Sequence, residues 1–567
     1  MRARLACLAA VALALTAARA QALTYPSPYG SGPRAAVNAA GLSVVAWAGP
    51  SGLRAATGNR SSGFAAPATL GGSDATSPQV GIDGAGTAIV VWETTRTVTP
   101  KGCGKDCVSI AVSTGVWASL RPAGGGFQPA IALAGPQSDH GAAARPRLAM
   151  SANGHAVIAW TSEDGAMASL RGPGGPIQQA QRVAPRPFGV ASVAVTDAGE
   201  VLVGGPLGQL VVRPPNGSYA APRTFPGAAT VDAAAIVAAN ARGDAFVAYP
   251  AATGGFLVAR RPAAGDWGAA TSLPALQGGG LRSAAMTGSG DGVLTWTQTE
   301  PAVGPTSGVM AAIVTASAAP VVQRMTTPDA SADASFEGGG LAAGAGADVV
   351  AGWDRQGVNI GARRVAQIAI RRAPGGFGAP ITLTPADGDH PIGDFPGVGI
   401  DAGGVVLATW VDHHPGQSRV KAIWLAANAV SPVAILETTA APDAPTTSFP
   451  PEHFASVLFS AALTPTRRGF VGVPLTCFST DGQVCRGTIT LRPAAGKPRA
   501  GRAHFRVPAG KPKRVFVGLS RRTRARLRRE PLIPMLATVA NTKAGGGAGR
   551  RTTASVFVAG RRPKVSR

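Results

Sequence analysis

Asp354, Asp387, Asp389, His390, Asp412, His413 and His414 are the side chains whose types and spacing could do chemistry together in this chain. Carboxylate oxygens suit calcium, while an imidazole among them shifts the preference toward zinc or a similar ion. Two carboxyls about 5 to 9 Å apart would instead serve the acid and base steps of glycan cleavage. Asp387-Gly388-Asp389 is too short to specify a calcium loop. No cofactor is therefore assigned, and calcium is the ion these carboxylates would take. Whether the seven residues meet depends on the elements that carry them.

Those elements follow from a phrase spelled eight times: GLSVVAW (41–47), GTAIVVW (86–92), GHAVIAW (154–160), GEVLVGG (199–205), GDAFVAY (243–249), GDGVLTW (290–296), ADVVAGW (347–353) and GVVLATW (404–410). The steps between copies are 45, 68, 45, 44, 47, 57 and 57 residues, the period of a four-stranded propeller blade. In the second copy, 79–82 reads as strand A, 83–86 as a turn, 87–92 as strand B, 118–121 as strand C and 130–134 as strand D. Strand B is apolar on both faces, since Ala88, Val90 and Trp92 alternate with Ile89 and Val91. A sandwich strand with one wet face would alternate apolar with polar, so both faces here must be covered. Neighbouring blades supply that double cover, and the recurring Trp is expected to pack between them. Tyr249 fills the same slot, while the fourth copy ends in Gly205 and is expected to form a thinner blade. The first copy opens on its own strand A and the last ends on its own strand D, so no shared closing blade is expected. In such a ring the B–C and D–A loops emerge on one face. That would bring the acids and histidines of blades 7 and 8 to one rim.

The GxA-V-W strands and the RxxGGG-F-xxP hairpins resemble the sialidase-like repeat propellers of exported bacterial proteins over residues 33–437. Membership of that group would imply an arginine cluster, a tyrosine nucleophile with an acidic partner, and an acid catalyst. Tyr219 and Tyr249 are the tyrosines within the ring, and Tyr249 sits in a packing slot, so no catalytic residue is carried over.

At the N-terminus, Arg2 and Arg4, a short apolar stretch (5–17) and Ala18-Arg19-Ala20 read as a secretory signal over residues 1–20. Cys7 would leave with it, and the remaining Cys103, Cys107, Cys477 and Cys485 fall into two local pairs. An even count in an exported chain reads as disulfides. A metal at Cys103 and Cys107 would need two more ligands, and no Cys or His lies within thirty residues. No later segment is long and apolar enough to span a bilayer, so a secreted or surface-held monomer is expected.

The expected organisation is thus a propeller over 21–437, a Pro-rich linker over 438–453 and a third segment over 454–567. Seven short apolar runs in that last segment, from 454–459 to 552–558, suggest an immunoglobulin-like sandwich. Cys477 and Cys485 ahead of Gly487-Thr488-Ile489-Thr490-Leu491 resemble a module that ends many exported proteins of GC-rich bacteria. Charge singles this segment out. Residues 455–567 carry 24 Lys and Arg against Asp481 and Glu530, or +22 of the chain's +24. The densest run holds Arg521, Arg522, Arg524, Arg526, Arg528 and Arg529, anchored by Leu519 and Leu527 as a loop or short helix. Such a field recruits polyanions: an anionic cell-wall polymer, an acidic polysaccharide or a membrane surface. No helix-turn-helix, finger or zipper pattern is present, so sequence-specific nucleic-acid binding is not expected.

The fold class expected is all-β: about eight four-stranded blades followed by a basic β-sandwich. The function expected is binding or scaffolding at an anionic surface; the alternative is a glycan-active hydrolase or lyase using rim carboxylates.

Overall fold

The computed structural model describes residues 32–49, 51–98, 110–135, 146–229, 234–263, 265–273, 280–300, 306–326, 335–356, 364–383, 393–414, 417–426, 429–430 and 434–440 of a first unit. Of a second unit it describes 454–457, 462–463, 465–466, 469–478, 484–493, 500–508, 513–527, 532–542 and 548–559. The division falls between Asp443 and Ala444.

The first unit is a β-propeller of eight antiparallel sheets, each a four-stranded meander, with one extra strand on the first and last. The B strands are Ser43–Gly49, Ala88–Val98, Ala156–Ser162, Val201–Gly204, Ala245–Pro250, Gly292–Glu300, Val349–Gln356 and Val406–His414. Their double apolarity is used as the sequence implies. Val44, Val45 and Ala46 are all fully buried, and so are Ala88, Ile89, Val90 and Val91. Alternate residues enter different cores: Ala88, Val90 and Trp92 join blade 1, whereas Ile89 and Val91 join blade 3. Each of the eight junctions has its own apolar cluster. The repeated aromatic always leans toward the preceding blade. Trp92 packs on blade 1, Trp160 on blade 2, and Trp47 of blade 1 on Leu407 and Trp424 of blade 8. The ring therefore closes directly, blade 8 on blade 1, without a shared blade.

Blade 4 lacks the aromatic, and the space is filled from elsewhere. Phe188 is buried in the blade 3–4 cluster, and a Cβ on Gly205 would lie 2.4 Å from its ring. The void that a missing Trp would leave is occupied by a side chain from the preceding D–A connection.

A second fastening runs along the A–B turns. The first turn residue is Asn38, Asp83, Thr196, Asn240, Thr287 or Asp401 in six blades, and its side-chain oxygen accepts the amide proton four residues on at 2.7–3.2 Å. This satisfies a backbone donor inside a tight turn. The residue before that donor is a glycine with φ between +76° and +98° in seven blades, a conformation other residues adopt at a cost; Ala347 stands there in blade 7. At seven of the eight junctions one turn bonds the next. Asn38 Nδ2 donates to Asp83 O at 2.9 Å, Gly84 N to Ala152 O at 2.8 Å, and Asn153 N to Asp197 Oδ1 at 3.1 Å. The series continues through Ala241, Thr287 and Gly344, and Ala402 N returns to Ala39 O at 3.4 Å.

The arginines of the RxxGGG hairpins tie the same face. Arg371 Nε donates to Gly375 O at 3.1 Å, Nη1 to Ala347 O at 2.8 Å and Nη2 to Asp291 of the preceding blade at 2.8 Å. Arg171 repeats this with Gly175 and Gly154, and its guanidinium lies 3.8 Å from Asp83 of blade 2. These motif residues are clamps.

In the second unit the strands are β1 (Phe454–Val457), β2 (Ala462–Leu463), β3 (Phe470–Phe478), β4 (Cys485–Pro493), β5 (Gly501–Val507), β6 (Lys513–Leu519), β7 (Leu532–Thr542) and β8 (Ala548–Ala559). They form one eight-stranded hydrogen-bonded series, β1-β3-β6-β5-β4-β7-β8-β2, with β2 parallel to β8. This series curls so that β1 also approaches β7 and β8. Alternate residues close on one core that includes Val471, Ile489, Phe505, Val517 and Val539. Cys477 and Cys485 are joined by a disulfide, both buried, across the β3–β4 connection. Cys103 and Cys107 lie outside the described residues.

Candidate functional site

Asp387, Asp389 and His390 lie outside the described residues. Asp412, His413 and His414 are placed by their backbone: all three still belong to strand B of blade 8, opposite Arg419, Ser418 and Gln417 of strand C. The loop begins later than the sequence suggested. Asp354 makes the same point more fully. It was expected on the rim, but strand B runs on to Gln356, and Asp354 pairs with Ala366 inside the sheet with no exposed surface. It shares its strand face with Val350, which packs on blade 8, and with Gly352, whose Cβ would touch Pro396 and Val398. Arg419 and Lys421 of blade 8 alternate with Val420 and share a face with Ile423, which packs on blade 7. Both are buried. Asp354 thus faces a junction that also receives two buried cations.

The structure brings together a different set, on the innermost strands. Strand A of each blade neighbours strand A of the next around the central channel. Four residues before the A–B turn, blades 1, 2 and 3 carry Arg34, Gln79 and Arg147 at one level. Blades 4, 7 and 8 hold Ser192, Gly340 and Gly397 at that level. Gly397 is confined by the blade 1 backbone, since a Cβ there would lie 2.5 Å from Pro33 O. Blades 5 and 6 carry Ile236 and Ser283 there, so the long polar side chains of this level are the three on blades 1 to 3. Arg147 Nε donates to Ala191 O of blade 4 at 3.0 Å, and Gln79 Nε2 donates to Pro78 O at 2.9 Å. Burial, and then repulsion from Arg147, hold the Arg34 guanidinium below its ordinary pKa. Arginine offers donors only, so this level suits an anionic group.

Sequence reasoning passed over Arg34 and Arg147 because nothing marks them in a linear count of charge. The signal was their equal distance from Asn38 and Ser151, which open equivalent turns.

In the second unit the Arg run forms a short helix, α1 (Arg521–Leu527). Leu519 and Leu527 are buried in the core, as expected. Ser520 caps it, accepting the Thr523 amide proton at 3.2 Å, while Arg521, Arg522, Arg524 and Arg526 are exposed. Arg528 and Arg529 lie outside the described residues. Among the described residues no helix is long and apolar enough to cross a membrane.

No known family pattern matches the chain, and no curated protein matches it. Solved structures similar to it include the Dos1 propeller, at 9% identity over 71% of this chain and 94% of that one, with a TM-score of 0.40. Others are an ulvan lyase from a new family of polysaccharide lyases (8% identity, 81% and 90% covered, TM-score 0.31) and the fucose-specific lectin of Aleuria aurantia (12% identity, 53% and 96% covered, TM-score 0.28). Similarity at this level says nothing about what this protein binds or does.

Proposed function

We propose that this is an exported binding protein. Its propeller displays ligand-binding loops on the B–C/D–A rim, and its second unit, an immunoglobulin-like module, associates with an anionic polysaccharide at a cell surface. One observation carries the reading: 24 basic residues against two acidic ones over 455–567, beside a remainder that holds 29 against 27. Selection for solubility alone would not confine the imbalance to one unit, whereas adhesion to a polyanion requires it. The near-neutral ring leaves its rim free for a separate ligand. Support also comes from the division of labour between the two faces of the ring. The A–B face is tied down by turn-to-turn bonds and arginine clamps, so variation in loop length falls on the opposite face.

The test is retention of the full-length chain on immobilised polygalacturonate and on neutral dextran. Binding to the acidic matrix alone, lost between about 0.05 and 0.5 M salt, supports the reading, because screening shortens the reach of exposed charges over that range. Equal binding to dextran, or none to either, would refute it.

A further inference from the structure

We propose that the polyanion seat of the second unit is the outward face of strands β3, β6, β5 and β4, not the arginine-rich helix, and that it takes a polysaccharide bearing carboxylates. This rests on the reading that the unit binds an anionic glycan, and it names the surface and the chemistry. Inward Ile489, Leu491, Phe505, Val507, Val515 and Val517 are buried, and the residues between them are exposed or half-exposed. On β5 the outward residues are Arg502, His504 and Arg506; on β4 they are Arg486, Thr488, Thr490 and Arg492. Arg486 and Arg506 stand directly opposite each other across the β4–β5 ladder. Like charges in that position repel. A carboxylate seated between the two guanidinium forks would turn the repulsion into two charge-assisted bonds.

Beside this cationic area lie two phenyl rings that a core would ordinarily claim. Phe470 is 42% exposed and Phe516 is 56% exposed. Each lies over a glycine of the neighbouring strand: Phe516 pairs with Gly472 and Phe470 with Gly518. A Cβ on Gly472 would be 3.2 Å from the Phe516 ring, and one on Gly518 would be 3.3 Å from the Phe470 ring. The glycines let both rings lie down on the sheet. Covering an edge glycine is one use of an aromatic, and it accounts for the rings' posture. It does not account for two such pairs side by side next to an arginine array. The result is a flat apolar platform with one open face per ring. Diagonal neighbours on a sheet are about 7–8 Å apart, so adjacent units of one chain can reach both.

A pyranose ring presents an apolar C–H face to such a surface, and a uronate adds the carboxylate that the arginines require. The hydroxyls of Thr488 and Thr490, between the arginines, are placed for sugar hydroxyls. No Asn, Gln, Asp or Glu lies among these outward residues, so the face lacks the side chains that pair with adenine and cytosine edges.

The experiment measures binding of the full-length protein to polygalacturonate, to single-stranded oligothymidine and to phosphatidylglycerol vesicles. Variants are R486Q/R506Q, F470A/F516A and the helix variant R521Q/R522Q/R524Q, with circular dichroism as the check on folding. R486Q/R506Q should weaken polygalacturonate binding about tenfold or more. F470A/F516A should weaken it severalfold while leaving its salt dependence unchanged, since no charge is removed. The helix variant should lose less than either. If the helix variant alone abolishes binding and the sheet variants bind as the parent does, the seat is misplaced although the adhesion reading survives. Tighter binding of oligothymidine or vesicles than of polygalacturonate overturns the ligand class. Failure of the parent protein to bind any of the three overturns the adhesion reading itself.

Discussion

The ring and the second unit are both made of short antiparallel strands, yet they solve opposite problems. In the ring, strand B buries both faces, so Val90 and Val91 serve two different clusters. In the second unit the same kind of strand buries one face. On β5, Phe505 and Val507 go inward and Arg502 and Arg506 outward. A doubly covered strand leaves a charge no route to solvent, so Asp354 on strand B of blade 7 is wholly buried. A singly covered one has a free row of positions, and here that row is cationic. The contrast teaches that the chain's basic character is a property of exposed sheet surface and not of its strands as such.

The comparison can be broken most forcefully at the aromatic slots. Trp92→Ala or Trp296→Ala should destabilise the ring by about 3–5 kcal/mol, read by thermal or denaturant unfolding, with the second unit's transition unmoved. A change below about 1 kcal/mol would mean that the junctions are not the ring's core. Blade 4 sharpens the point. Phe188→Ala should cost about 3 kcal/mol. Gly205→Trp should be tolerated better in the Phe188→Ala background than alone, because the two side chains compete for one space; additive effects would show that they do not. Arg371→Met should cost about 2–3 kcal/mol, since it strands the Asp291 carboxylate and two carbonyls. The same change at an exposed arginine such as Arg502 should move stability by less than about 0.5 kcal/mol. Arg486→Gln should stabilise the second unit by a few tenths of a kcal/mol by removing a cross-strand repulsion, measured without polyanion; a loss would indicate that Arg486 has a structural partner.

The smallest effect concerns alkaline pH. Burial, offset in part by Arg213, raises the Tyr219 phenol to about 12, against about 10 in an unfolded chain. Raised above its unfolded value, this group contributes stability that is intact below pH ~10 and is lost as the pH climbs through the folded-state pKa. Ultraviolet titration of the chain's four tyrosines should show Tyr219 ionising after any exposed ones. Ionisation together with them would contradict its burial.

Much of the ring was legible because every junction reuses one packing rule, and a rule applied eight times shows in the letters. The exceptions were not legible. Phe188 replaces a Trp from a different part of the blade, so no count of strand B residues could find it. Bulges in the A strands of blades 2, 6, 7 and 8 shift the register between equivalent positions. The channel level shared by Arg34, Gln79 and Arg147 therefore emerges only when distances are taken from the turns. Asp354 reads as a rim residue because the aromatic before it closes the repeated phrase, yet the strand runs on to Gln356. In the second unit, attention to density favoured 521–529. Arg502-Ala503-His504-Phe505-Arg506 carries its information in alternation instead, and one charge every other residue never looks dense.

The turn-to-turn bonds make the joint between blades 8 and 1 the same kind of joint as that between blades 2 and 3: Ala402 reaches Ala39 much as Gly84 reaches Ala152. The wheel has no privileged spoke. Where the polypeptide enters is then a matter of genetic bookkeeping, and a permuted gene that opens between blades 4 and 5 and splices the old entry to the old exit should yield the same disc.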